Sequence, residues 1–129
     1  MNEKRFGTAK DLKVGKYVLI DDVPCRVVQI ESSRPGKHGS AKMRIVGIGV
    51  FDGQKKNLLS PSDADIEVPI IERKNVQILS VNGTVANVMD SKTYEIYDLE
   101  IPAEIEGVAA GKEVEILECM GKKRMERVR

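Results

Sequence analysis

The sequence predicts a mainly β protein built as two small barrels in tandem. Three observations carry this. The apolar residues fall in short runs, turn signals separate the runs, and no stretch sustains a helical period. The 129 residues suffice for one ordinary domain or two very small ones. Hydrophobic residues make up 41% and charged residues 32%, the balance of a globular chain. Aromatics are only 4% and Trp is absent, so Val, Ile and Leu must supply the core.

Tyr17–Ile20 reads as the first strand, and Asp21-Asp22 as a turn. Val23–Ile30 follows, with Pro24 near its start, where a missing N–H is tolerated. Regular alternation there places Cys25, Val27 and Gln29 on one face and Arg26, Val28 and Ile30 on the other. In Lys42–Val50, Arg44, Val46 and Ile48 alternate with Met43, Ile45 and Gly47. Gly47 and Gly49 share a face and mark a bend or a close backbone approach. Phe51–Gln54 is a turn, and Asn57–Leu59 and Ile66–Val68 are short strands. Five strands without a helix indicate a small barrel over residues 1–70.

Pro69–Ile71 reads as a hinge into a second unit, residues 71–129. Asn75–Val81, Asn82-Gly83 and Thr84–Met89 form the strongest hairpin signal, because Asn-Gly accepts positive φ at both central positions of a tight turn. Thr93–Ile101 continues as a strand. Pro102–Gly107 offers one helical turn with Pro at its first position, and Glu113–Met120 and Lys123–Val128 complete five strands. That is the economy of an OB-like barrel.

Residues 1–70 carry 12 Lys/Arg against 9 Asp/Glu, and residues 71–129 carry 9 against 11. The net charges, +3 and −2, exclude a gross polycation but leave room for local patches. Cys25 and Cys119, far apart and each in an apolar run, read as buried free thiols. With His38 the single histidine and no Cys-x-x-Cys, no metal site is expected. The first residues lack an apolar segment and no run approaches the ~20 residues of a membrane span, so the expected compartment is the cytoplasm.

One loop is unlike the rest. Glu31–Lys42 has no large apolar residue and holds Arg34, Lys37, His38 and Lys42 against Glu31 alone. Pro35, Gly36 and Gly39 bracket Lys37-His38, keeping bulk away from the lysine. A phosphate-cradling P-loop is excluded, because Glu31 stands where its first glycine belongs and His38 where its hydroxyl belongs. A Lys37/His38 acid–base pair lacks a water-excluded pocket and a third orienting group. Two readings remain open on composition: a solvated basic loop, or a cationic tip that enters a crowded anionic partner such as RNA.

Pro35-Gly36-Lys37-His38-Gly39-Ser40-Ala41 resembles the loop of the hypusine-containing translation initiation factor five-A family, homologous to bacterial elongation factor P. The likeness continues through Val18–Cys25 before the loop and through Arg44–Asp52 and Glu67–Ile71 after it. Pro35 and the short start point to the archaeal branch. The resemblance implies an SH3-like barrel over residues 1–70 and an OB-fold over 71–129. It implies that Lys37 receives an aminobutyl group from spermidine through deoxyhypusine synthase, so that the protein is an enzyme's substrate rather than an enzyme and takes no cofactor. It also implies binding to the ribosome, with the modified side chain positioning peptidyl-tRNA to promote peptide bond formation at stalled sequences. Arg34, Pro35, Gly36, His38, Gly39, Ser40 and Lys42 would present Lys37 and add RNA contacts, in a monomer without membrane attachment. The alternative is an unmodified SH3/OB-type module, an RNA chaperone or ribosome-associated protein. Lys55-Lys56 and the basic run Lys122–Arg129 are secondary candidates for RNA contact, and Tyr94 and Tyr97 for base stacking, each against the plainer reading of surface or core.

Overall fold

The computed structural model describes residues 4–33 and 41–129. The chain divides into two compact units, Met1–Ile70 and Ile71–Arg129. Strands dominate both. A short 3-10 turn at Ala9–Asp11 is the one helical element among the described residues.

The first unit contains β1 (Lys4–Thr8), β2 (Tyr17–Ile20), β3 (Val23–Ser33), β4 (Lys42–Gly49), β5 (Lys55–Pro61) and β6 (Asp65–Pro69). A four-stranded antiparallel sheet runs β2-β3-β4-β5, and β1 pairs with β6 in a separate ribbon. β2 also lies near β6, so the sheet curls around a core of Val18, Ile20, Cys25, Val27, Ile45 and Ile66. These are the β-branched and small residues that fit a pleated interior. β1 has no counterpart in the sequence reading, because Lys4-Arg5-Phe6-Gly7-Thr8 lacks apolar alternation and is held by its register against Asp65–Pro69.

Ile20 pairs with Val23, leaving Asp21-Asp22 as a two-residue turn with φ of 53° and 63°. Positive φ at both positions is the I′ geometry that matches strand twist, and Asp tolerates it. In β4, a Cβ on Gly47 would lie 2.8 Å from the Cys25 Cβ. The glycine therefore lets β3 and β4 pack face to face with the core, the close approach that its position in the strand suggests.

The second unit contains β7 (Glu72–Asn82), β8 (Val85–Asp90), β9 (Ile96–Glu100), β10 (Glu113–Cys119) and β11 (Lys122–Val128), ordered β11-β10-β7-β8-β9. The sheet curls until β9 comes near β11 around Val76, Ile78, Val88, Val114, Ile116 and Met125. Each such side chain, fully withdrawn from water, contributes roughly 1.5–3 kcal/mol.

Three expectations need correction. The β7–β8 turn is centred on Gly83-Thr84, one residue later than Asn82-Gly83, because Asn82 pairs with Val85. Only Gly83, at φ 63°, takes the positive dihedral, the pattern of a II′ turn. Pro102–Gly107 is not a helical turn. A single Ile105 N–H to Pro102 carbonyl bond of 3.1 Å closes it, and no helix follows. Tyr94 lies outside β9, in a turn at φ 63°. There Asp90 accepts from the Lys92 and Thr93 N–H groups at 2.8 and 2.9 Å and replaces strand pairing.

Candidate functional site

The distinctive loop sits at the end of the β3–β4 hairpin. Arg34, Pro35, Gly36, Lys37, His38, Gly39 and Ser40 lie outside the described residues. Lys42 is described: it is exposed, opens β4, and faces Ser33 across the ladder. The ladder continues from Cys25↔Gly49 to Ser33↔Lys42, roughly 26 Å at about 3.3 Å per residue. Glu31–Ser33, expected within the loop, are therefore strand. They are exposed, so backbone pairing rather than burial holds them.

The base of the loop is braced from both sides. Lys42 faces Ser33 on β3 and Pro61 on β5, and the Ala41 carbonyl accepts the Ser62 N–H at 2.8 Å. A loop that springs from a strand paired on both sides loses less entropy when it docks than one on free strands.

A β-bulge between Val27 and Gln29 resets the faces of β3. Beyond it, Ile30 faces Ile45 toward the core, while Gln29 shares the outer face with Arg26. The expected grouping of Cys25 and Val27 with Gln29, and of Arg26 with Ile30, is overturned, because the extra residue shifts the period by one. Directly opposed residues share a face. The outer rows are thus Arg26, Ile48 and Lys55; Gln29, Val46 and Asn57; Glu31, Arg44 and Leu59; and Ser33, Lys42 and Pro61. Arg26, Lys42, Arg44 and Lys55 are all exposed, and none has an ion-pair partner among the described residues. Glu31, the one carboxylate in these rows, accepts from Gln29 Nε2 at 2.8 Å. Lys56 falls in the row of Gly47 and belongs to the other face. Nothing local in the sequence marks Arg26 and Arg44 as a pair. The signal was the alternation of β4, but the bulge in β3 hides which β3 residues join it.

The second unit treats its charge differently. Arg127 and Arg129 reach Glu115 at 3.2 and 3.1 Å, Arg73 approaches the same carboxylate at 3.6 Å, and Arg124 pairs with Glu104. Lys123 Nζ lies 4.0 Å from the centre of the Tyr97 ring. Much of the terminal basic run is thereby committed within the unit. A cleft of about 360 Å³ opens beside Glu72, Lys74, Asp90 and Lys92. Two of its groups are likewise engaged: Lys74 is held charged chiefly by its hydrogen bond to Glu118, and backbone N–H groups hold the Asp90 carboxyl below its ordinary range. The Tyr97 hydroxyl is buried without a hydrogen-bond partner, and burial first, then nearby carboxylates, push its pKa to about 12. Tyr94 is exposed and Tyr97 faces inward, so they do not form one stacking platform. Cys25 and Cys119 are buried and form no disulfide, as their apolar settings predict.

Comparison with known proteins adds an independent line. Residues 6–64 match the family model described as translation initiation factor 5A-like, N-terminal. A translation initiation factor 5A of Methanocella arvoryzae is 48% identical over 120 residues, covering 92% of this chain and 94% of the relative. That of Archaeoglobus fulgidus is 50% identical with the same coverage. The solved structure described as eukaryotic translation initiation factor 5A from Methanococcus jannaschii superposes with a TM-score of 0.94 at 44% identity, covering 99% of this chain and 98% of that one. A Naegleria fowleri protein of the same family superposes at 0.79 with 28% identity, covering 99% of each chain.

Proposed function

The chain belongs to the translation initiation factor 5A family, a family of translation factors, and from that premise we propose that it works on the ribosome through a modified Lys37. Deoxyhypusine synthase transfers the aminobutyl group of spermidine to the Lys37 amine; a new C–N bond to Nζ replaces the bond to spermidine's secondary nitrogen, 1,3-diaminopropane leaves, and the side chain gains length and a second amine. An unmodified lysine is a compact point charge on a four-carbon stem. The longer cation spans acceptors that a lysine leaves unmet, among them phosphates and ribose hydroxyls at the acceptor end of peptidyl-tRNA. The modified side chain orders the substrate and exchanges no proton. Holding reactants in productive geometry lowers a barrier by up to several kcal/mol, an effect that matters most where the nascent chain is poorly placed. Arg34, His38 and Lys42 add phosphate contacts beside the tip, and Pro35, Gly36, Gly39 and Ser40 keep it slim. The factor acts as a cytoplasmic monomer.

One observation supports this reading above the others: the Arg34–Ser40 segment joins the ends of a long hairpin whose β4 strand is paired on one side with Ser33 and on the other with Pro61. The test is peptide mass spectrometry across Arg34–Lys42 on protein from its native cells, paired with Lys37→Arg. An aminobutyl increment on Lys37, and loss of stimulated peptide bond formation at stalling sequences in Lys37→Arg, is the expected pair of results. An unmodified Lys37 in native material would overturn the mechanism and leave an unmodified RNA-binding module.

A further inference from the structure

We propose that the outer face of the β2–β5 sheet is a second RNA contact, a phosphate-binding strip formed by Arg26, Arg44 and Lys55 that leads to Lys42 at the base of the loop. This deepens the proposed function and rests on it for the identity of the partner as RNA.

The register carries the argument. Arg26 and Lys55 occupy one cross-strand row on either side of Ile48, and Arg44 and Lys42 lie further along the same face of β4. Lys42 and Arg44 are two residues apart on one strand, hence about 6.6 Å along it. The four cations meet a single carboxylate, Glu31, which lies across the ladder from Arg44, accepts from Gln29 Nε2 and leaves the face with a net charge of +3. In the second unit, by contrast, Arg127, Arg129, Lys74 and Arg124 all have carboxylate partners. A row of exposed cations held on a sheet, four against one carboxylate, fits a polyanion with regularly spaced charge. It fits less well a folded protein surface, where carboxylates are scattered. Leu59 is 71% exposed in the Arg44 row and offers apolar surface to a sugar or base edge. The strip reads no sequence, since phosphate contacts position a ligand without specifying it.

The test uses the full-length protein carrying modified Lys37 and a single-stranded uridine homopolymer as probe. The triple variant Arg26→Gln/Arg44→Gln/Lys55→Gln is compared with Lys92→Gln/Lys112→Gln/Lys122→Gln, which removes the same charge from exposed positions of the second unit. Each lost phosphate contact lowers the slope of log affinity against log salt by about 0.7 for single strands. The strip variant is expected to lose about 2 from that slope, and on the order of 100-fold in affinity at 0.1 M salt. The second-unit variant should lose a few-fold at most. Arg44→Glu alone provides a check through charge reversal at one exposed site, and thermal melts verify folding of every variant. Equal losses in the two triple variants, or no loss in the strip variant, would overturn the strip. So would a strip variant that binds the probe normally but is poorly modified at Lys37, because the face would then serve the modifying enzyme. Lys37→Arg is run in parallel for peptide bond stimulation. A Lys37→Arg protein that still stimulates like the unsubstituted one sinks the proposed function, whereas an inactive Lys37→Arg beside an unaffected strip variant sinks the strip alone.

Discussion

The two units use the same material to different ends. Both are small curled antiparallel sheets with Val- and Ile-rich cores, and both carry many charged residues. The second closes most of its arginines and Lys74 on its own carboxylates: Glu115, with a side chain only 13% exposed, gathers Arg73, Arg127 and Arg129, and Lys74 is held between Glu72 and Glu118. In the first, Lys4 pairs with Glu67 at the two-stranded ribbon, while the outer face of the main sheet leaves Arg26, Arg44 and Lys55 without such partners among the described residues. Cations are therefore not equivalent as a signal of RNA binding. What matters is whether the fold has already supplied their counterions.

Four measurements test the contrast between the units. The largest effects test what the units share. Ile45→Ala and Ile116→Ala each remove a fully buried side chain, one per unit. Each is expected to cost about 2–5 kcal/mol in urea unfolding, as large-to-small core changes do. A cost below ~1 kcal/mol at either site would mean that its core is loosely packed.

Gly47→Ala comes next. Its new Cβ meets the Cys25 Cβ at 2.8 Å and the Ile20 Cδ1 at 3.3 Å, so overpacking should cost about 1–3 kcal/mol. Cys25→Ala in the same chain keeps its Cβ but frees the space of the sulfur. It should therefore rescue only part of the loss, and full rescue would place the strain elsewhere.

Glu115→Gln tests the charge contrast directly. Loss of a partly buried carboxylate with several cationic neighbours is expected to cost about 1–2 kcal/mol. It should also raise affinity for single-stranded RNA a few-fold at low salt, as Arg127 and Arg129 lose their counterion. Unchanged RNA affinity would show that neutralisation is not what silences this surface.

The smallest effect is a pH dependence. The Tyr97 phenol is raised from 10.0 to about 12 in the folded chain. Below pH 10 both states keep the proton and stability is flat. Between about pH 10 and 12 the unfolded chain releases it first, so stability falls as pH rises. Tyr97→Phe removes the orphaned hydroxyl and should abolish that component of the fall, with little change at pH 8, in denaturation followed across this window. An identical decline in the variant would assign the effect to lysines instead.

The sequence made much of this legible. Tyr17–Ile20 is a strand with the bounds its apolar run marks, and Asp21-Asp22 is the turn its chemistry requires. Buried Cys25 and Cys119 follow from their apolar settings. Gly-Lys-His-Gly between two β runs pointed to the family that comparison then showed. These features depend on a few neighbouring residues and on periods too short to be disturbed.

The rest required the fold. β1 exists because β6 offers it a register, not because its own residues alternate. The β7–β8 turn moved by one residue because ladder pairing, not the preference of Asn-Gly, set its centre. The bulge at Val27–Gln29 exchanged the faces of β3, and with them the company of Arg26. The sequence by itself determined the β class, the hairpin and the lysine it carries, since composition and local turn chemistry suffice for those. Which cations stand unneutralised on one face was decided by tertiary structure alone, because that depends on registers between strands and on carboxylates distant in the chain.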